Sequence, residues 1–535
     1  MCPSNRLMLG ALALALALQP TIAHSQTPNP KTTQYKRVHQ ELMRLVIDGR
    51  AGKATQTEVS REDPETCYVL AVAFAQLGDL DQAMRWVKEA VARGLPVGRF
   101  LAGPRGLLDP LQAYEPFLAY IKDRFAEPIH GPMLGRMTHE GASFWVRTAT
   151  EAPVQVRISE AKDLSNARES DVVRSCADAD YTAIVTINGL SADTAYYYEP
   201  LVDGAARVGE TPRAFRTLPD PGRPASFRVG FGGGAGYVPP HERMWDTIRT
   251  YEPLAFILLG DNVYIDDPRR PSMQDYCYYR RQSRAEFRRF VACTPIYAIY
   301  DDHDFGENDC WGGPEIDQPK WKRDVWHRFT RNWVNPYYGG AEGQPGCWFD
   351  FAIADVDFFC LDCRYYRMDP KRSKPSMLGP VQKAWLFDAL DHSSATFKVL
   401  VSSVPWARGT KPGSLDTWDG YPGEREAIFT FIEAHGIDGV ILLSADRHRS
   451  DVWKIPRDNG YDFYEFESSR LTNQHVHKKM KGALFSYNES QSFGLLTFDT
   501  KPPDPQVTYA IVNIDGTVVH ETRVKHSQVT NPTEQ

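Results

Sequence analysis

The sequence predicts an α/β protein in three parts: a helical segment, an all-β sandwich, and a larger domain in which short apolar strands alternate with helices. Three observations carry this. Helical periodicity runs to about residue 125, two-residue alternation replaces it from Met133 to Leu218, and five apolar runs separated by helices follow the linker PDPGRP at 219–224. At 535 residues, 42% apolar and 24% charged, the chain is too long for one core and ordinary in composition. Its net charge of −7 offers no basic patch, which argues against nucleic acid as a binding partner.

The N-terminus, MCPSNRLMLGALALALALQPTIAHSQ, has a basic start at Arg6, an apolar core from Leu7 to Leu18, and the ending Ala23-His24-Ser25. This reads as a signal peptide over 1–25 cleaved before Gln26, because the core falls short of the ~20 residues that span a bilayer. A periplasmic or secreted protein with no stable membrane insertion is expected. Eight cysteines would remain, and an exported protein can oxidise some of them. Cys360 and Cys363 form a lone C-x-x-C in the predicted strand FFCLDC. Two side chains three apart cannot share a strand face in register, so buried thiols or a stray disulfide fit better than zinc or redox chemistry.

Residues 26–127 read as helices. Two amphipathic runs in DPETCYVLAVAFAQLGDLDQAMRWVKEAVARG meet at Gly78-Asp79-Leu80, and Leu70, Ala71, Phe74, Ala83 and Ala90 match the packing positions of a tetratricopeptide-like unit. One such unit cannot bury its own face, so it is expected to brace a neighbour, with protein contact through a groove as the alternative. Residues 128–218 read as short alternating strands: ASFWVRT, VQVRIS, AIVTI, AYYYEPLV and RAFRTLP. Trp145 and Tyr196 give this sandwich a fibronectin III-like look. From 219 to 526 the strands FRVGF, AFILL, IYAIY, FKVLVS and GVILL alternate with helices such as 381–390 and 424–436, with a hairpin inserted at CWFDFAIADVDFFCLD. Residues 527–535 are expected as a disordered tail.

Four of those strands end in unusual loops. FRVGF runs into GGGAGY, AFILL into GDNVYIDD, IYAIY into DDHDFGEND, and GVILL into SADRHRSD. In open α/β sheets, ligands bind beyond the carboxyl ends of the strands, so these loops should converge. Asp261, Tyr264, Asp301, Asp302, His303, Asp446 and His448 would then gather in one place. Massed carboxylates repel unless cations compensate them, so the pattern points to a metal site of hard oxygen and nitrogen donors. One such motif alone would read as a helix cap or turn; four in succession do not.

GDNVY, YDDHDFG, LDCRYYR, MLGPVQKAWL, DTWDGYPGERE and LSADRH together resemble the alkaline phosphatase D (PhoD-like) metallophosphatases, of the calcineurin-like phosphoesterase superfamily. The likeness spans about 220 to 525. It implies a metallophosphoesterase-type α/β sandwich and a metal-dependent phosphoric ester hydrolase, a phosphatase acting on a small phosphate-ester substrate. By the same resemblance, Asp261 would bridge two metals, Tyr264, Asp302, Asp446 and His448 would be further metal ligands, and His303 would be the catalytic histidine. Two divalent or trivalent ions are implied, iron and calcium by the family, with manganese or zinc as alternatives. A metal-bound water would attack phosphorus while His303 serves the leaving oxygen. Arg408, Arg447 and Arg449 are candidates for gripping the phosphate, with structural ion pairs as the other reading.

One departure stands out. The family's F-x-S-C cysteine, an iron ligand, is replaced by Gly234 in Phe231-Gly232-Gly233-Gly234. Water or Tyr237 would complete the site, or the first metal would bind weakly or differ. Two further readings remain open: phosphodiesterase or phospholipase-type cleavage in the same fold, and a non-catalytic binding protein built on a degenerate core.

Overall fold

The computed structural model describes residues 38–60, 62–206 and 213–531. The expected signal peptide lies outside the described residues. No helix among them is long and apolar enough to cross a membrane.

The first part is helical. Pro64–Gln76 and Leu80–Ala92 pack as an antiparallel pair, each started by an aspartate whose carboxylate accepts from the first turn: Asp63 from Glu65 N at 2.9 Å and Asp79 from Gln82 N at 3.1 Å. Gly78 turns the chain between them with φ +78°, a conformation that costs a glycine little. Val38–Ile47 and Ala51–Gln56 cover the pair's inner face.

Two small antiparallel sheets follow. His130–Gly135, Gly141–Arg147 and Thr182–Asn188 form one. Pro153–Ser159 and Ala195–Val202 form the centre of the other. Phe144, Tyr198 and Phe215 pack between the sheets, with ring centroids 4.6–5.8 Å apart. Trp145 faces outward, and its indole N–H donates to Arg331 O of the third part at 2.8 Å.

The third part is a sandwich of two mixed sheets. In the first, Ile296–Ile299, Ala255–Leu259 and Ser226–Gly232 run parallel, and Ser492–Asp499, Gln506–Asn513 and Val518–Lys525 extend it antiparallel to an edge. In the second, Val356–Cys360, Phe397–Val401, Val440–Ser444 and Phe463–Ser468 run parallel. The predicted hairpin pairs Phe349–Ile353 with Val356–Cys360. Aromatic rings join the sheets: Phe466 stacks on Tyr509 with centroids 4.5 Å apart, and Phe397 lies tilted against Phe498 at 5.8 Å. At one end a parallel bridge, Gly233 to Ser469, ties the sheets together beside the four loops.

Residues 527–531 depart from the expected tail. Val529 is fully buried and its carbonyl accepts from Gly439 N at 2.7 Å, because an apolar side chain there finds the open flank of a strand start. The eight described cysteines are free thiols, and Cys360 and Cys363 are both buried.

Candidate metal centre

Strand ends place the site. Ala255–Leu259 stops at Gly260, whose φ of +98° and close approach to Asp301 leave no room for a Cβ. That contact brings the loop after one strand against the loop after its neighbour. The first loop then takes left-handed backbone at three side-chain-bearing residues, Asp261, Tyr264 and Asp266, with φ of 56°, 51° and 54°. Asp304 holds it there, its two carboxylate oxygens accepting from Asn262 N and Val263 N at 2.9 Å each.

The expected residues largely meet. Ligand atoms of Asp261, Asp302 and His303 lie within 4.8 Å of one another. The Tyr264 hydroxyl donates to Asp261 Oδ2 at 2.7 Å and stands 3.4 Å from His448 Nε2, while the Tyr264 ring stacks on His303 with centroids 4.6 Å apart. Asp446 is the outlier. It lines the same pocket, but its Oδ2 is held by Arg447 at 2.9 Å and has Lys411 at 3.9 Å. Asp301 has one oxygen committed, with Arg364 and Ser403 both bonding its Oδ1 at 2.5 and 2.7 Å, while its Oδ2 is buried with no hydrogen-bond partner.

The electrostatics fit a cation. Burial, reinforced by Asp302, Asp301 and Asp304, holds the Asp261 carboxyl well above the usual carboxylate range despite His303 nearby. Its Oδ1 is buried with no hydrogen-bond partner, as is His448 Nδ1. Burial and the neighbouring His475, His477 and Arg447 push His448 well below the ordinary histidine value, leaving the neutral imidazole that ligates metals. Burial lowers His303 too, but Asp261, Asp302 and Asp266 outweigh it and raise that imidazole well above its ordinary value. A second acidic cluster, Asp302, Asp309 and Asp416, already has its cations: Lys411 bonds Asp309 at 2.8 Å and Asp416 at 3.1 Å, and Arg364 bonds Asp416 at 2.7 Å.

Gly234 explains the absent cysteine. Its φ is +71°, and a Cβ there would sit 2.9 Å from Arg470 N and 3.2 Å from both His448 Nδ1 and Ser469 Oγ. A side chain at 234 would point at the site, yet this backbone disfavours one. Tyr237 lines the pocket but does not replace it, since its hydroxyl reaches Asp63 Oδ1 at 3.4 Å. The donors that remain are oxygen and nitrogen, which suit hard or borderline cations.

Several residues were missed from the sequence. Asp266 bonds His303 Nδ1 and fixes which ring nitrogen is free. Asp266 lies within the GDNVYIDD loop and Asp304 within DDHDFG, so both were in view but looked redundant among so many acids. His475 and His477, an H-x-H pair with Nε2 atoms 2.9 Å apart, sit in the loop after Phe463–Ser468, a strand absent from those expected from the sequence. Asp266, His475 and His477 line, with Tyr264, His303 and His448, a cavity of about 540 Å³. Of the three candidate arginines, only Arg447 lines it; Arg449 is buried against Asp451 and Glu467, and Arg408 is exposed.

The PhoD-like phosphatase family model matches residues 230–530, more than half the chain and nearly all of this two-sheet sandwich, with its four strand-end loops. The chain belongs to the PhoD-like phosphatase family. Alkaline phosphatase D of Bacillus subtilis (strain 168) is 26% identical over 318 residues, covering 50% of this chain and 53% of that protein. The chain thus spans about half the length of this curated relative. Among solved structures, that of PhoD superposes with a TM-score of 0.60 at 18% identity, over 73% of this chain and 88% of the other. A purple acid phosphatase from yellow lupin (Lupinus luteus) seeds superposes with a TM-score of 0.53 at 12% identity, over 76% and 77%. At such identities these likenesses show the fold alone. A domain of unknown function, DUF7800, matches 126–219, the region of the two small sheets.

Proposed function

We propose that this PhoD-like chain is an exported, metal-dependent phosphatase that hydrolyses phosphate esters at a two-metal site. The convergence of Asp261, Asp302 and His303 donor atoms within 4.8 Å, with Tyr264 and His448 against them, carries the reading. Asp261, Tyr264, Asp302, Asp446 and His448 would hold the ions. Such ions, when bound, supply Lewis acidity toward the phosphate and lower the pKa of water.

The chain's own groups then have separate tasks. Asp266 holds His303 Nδ1, which leaves Nε2 to donate to the departing oxygen. Arg447 is braced between Asp446 and His477, and its Nε is buried with no hydrogen-bond partner, which supports a phosphate-gripping role. For Asp446 to serve as a ligand, Arg447 has to turn from it to the substrate, and both occupy the same pocket wall.

The N-terminal pattern supports cleavage before Gln26 and a periplasmic or secreted location. The helix pair supports a tetratricopeptide-like brace, and the small sheets a fibronectin III-like spacer. The test is His303→Ala, assayed on p-nitrophenyl phosphate and its bis ester. The variant is expected to keep its metal and lose about 10²–10⁴-fold in kcat; undiminished turnover would remove His303 from the mechanism. Preference between the two esters separates monoesterase from diesterase action.

A further inference from the structure

Helix Val38–Ile47 lies almost two hundred residues before the family domain begins, yet Gln40 bonds the loop that carries Asp261 and Tyr264, and the preceding His39 reaches it through Arg280. The Gln40 amide donates to Tyr264 O and to Ile265 O, both at 3.0 Å, with its side chain 3% exposed. His39 Nε2 lies 2.6 Å from Arg280 Nη1, and the same guanidinium donates to Val263 O at 3.3 Å. Three successive carbonyls, 263 to 265, are therefore served directly or indirectly from this helix.

The opposite side of the loop is held by its own domain. Asp304 accepts from Asn262 N and Val263 N, and His303 O accepts from Ile265 N at 2.8 Å and Asp266 N at 3.2 Å. Backbone in the left-handed region at Asp261, Tyr264 and Asp266 persists only where the surroundings over-determine it. The helix supplies the outer half of that determination. Glu41 and Arg44 of the same helix line the cavity, and Arg44 is pinned by Asp267 at 3.1 Å.

We propose that helix Val38–Ile47 is a structural part of the active site, with Gln40 as a positioning residue that holds the Tyr264 carbonyl and so sets the metal-ligand loop. The inference rests on the metal-centre reading above. Groups that orient metal ligands typically change metal affinity 10–100-fold when removed.

The test uses the full-length chain, wild type and Gln40→Leu, dialysed against graded manganese and analysed by elemental mass spectrometry, with kcat, KM and thermal unfolding in chelator measured alongside. Gln40→Leu is expected to bind manganese 10–100-fold more weakly, to lose kcat in parallel, and to change KM by less than about twofold. Arg93→Ala, on an exposed face paired with Glu89, is expected to match wild type. Should the leucine variant fail to fold, Gln40→Glu keeps the shape while removing the amide donors and is read the same way. Manganese affinity and kcat equal to wild type, with only the unfolding temperature altered, overturns the inference. Wild-type protein that binds no metal overturns the metal-centre reading itself.

Discussion

Tyr264 donates its phenolic proton to Asp261 Oδ2 across 2.7 Å, three residues along a loop where both hold left-handed backbone. The pair presents a phenol and a carboxylate side by side, with His448 Nε2 3.4 Å from the phenol. Tyr264 and Asp261 would hold a cation there only after the phenol gave up that proton. Tyr264→Phe keeps the ring stacked on His303 and removes the donor. Loss of at least about tenfold in metal affinity is expected, with the fold intact, by elemental analysis and circular dichroism.

In the mechanism proposed above, Asp266 would act on turnover by orienting His303. Asp266→Asn is expected to lower kcat about 10–10²-fold, less than His303→Ala, while metal content and KM hold. Steady-state kinetics on metal-loaded protein reads this out. A matching loss of metal would mean that Asp266 supports the ligands instead.

Arg364 stabilises the loop after Ile296–Ile299 from below. Its side chain is fully buried and bonds Asp301 and Asp416. Burial alone would raise the Asp416 carboxyl, but Arg364, Arg367 and Lys411 outweigh it and hold it far below the usual range. The folded chain therefore binds that proton less readily than the unfolded one, so the pairing stabilises above about pH 4 and is lost as acid protonates Asp416. Arg364→Met is expected to cost about 3–5 kcal/mol at pH 7 in urea unfolding, because it breaks a buried ion-pair network, leaving Asp301 Oδ1 only Ser403 and Asp416 only Arg367 and Lys411. The deficit should shrink below pH 4.

The strands and strand-end loops of the family domain were legible because several strands are short, apolar and followed at once by polar residues. Strand ends pointed to Asp261, Tyr264, Asp301, Asp302, His303, Asp446 and His448 as one group, while their separate roles came only from the family resemblance. Asp266 and Asp304 were not singled out, since a string of acids does not say which carboxylate turns inward and which accepts from backbone. The role of Gln40 was out of reach: its partners lie 224 and 225 residues away, and an amide on a helix carries no periodic signal. Gly234 was read as a lost ligand, whereas its φ and the approach of Arg470 N give the backbone's reason for it.

Gly234→Cys tests that reason. Restoring the side chain forces a Cβ to 2.9 Å from Arg470 N in left-handed backbone. A loss of about 1–2 kcal/mol is expected in urea unfolding, with no gain in iron content. A stable variant with new thiolate-to-iron absorption would show that the loop relaxes to accept a ligand.

The most direct test of the central claim is metal content by elemental mass spectrometry on protein purified without chelator, paired with hydrolysis of p-nitrophenyl phosphate before and after metal removal. About two ions per chain are expected, with activity lost on metal removal and regained on its return. Protein that stays metal-free and inactive after iron, manganese, zinc or calcium is added would contradict that claim and leave a binding protein on a phosphatase fold.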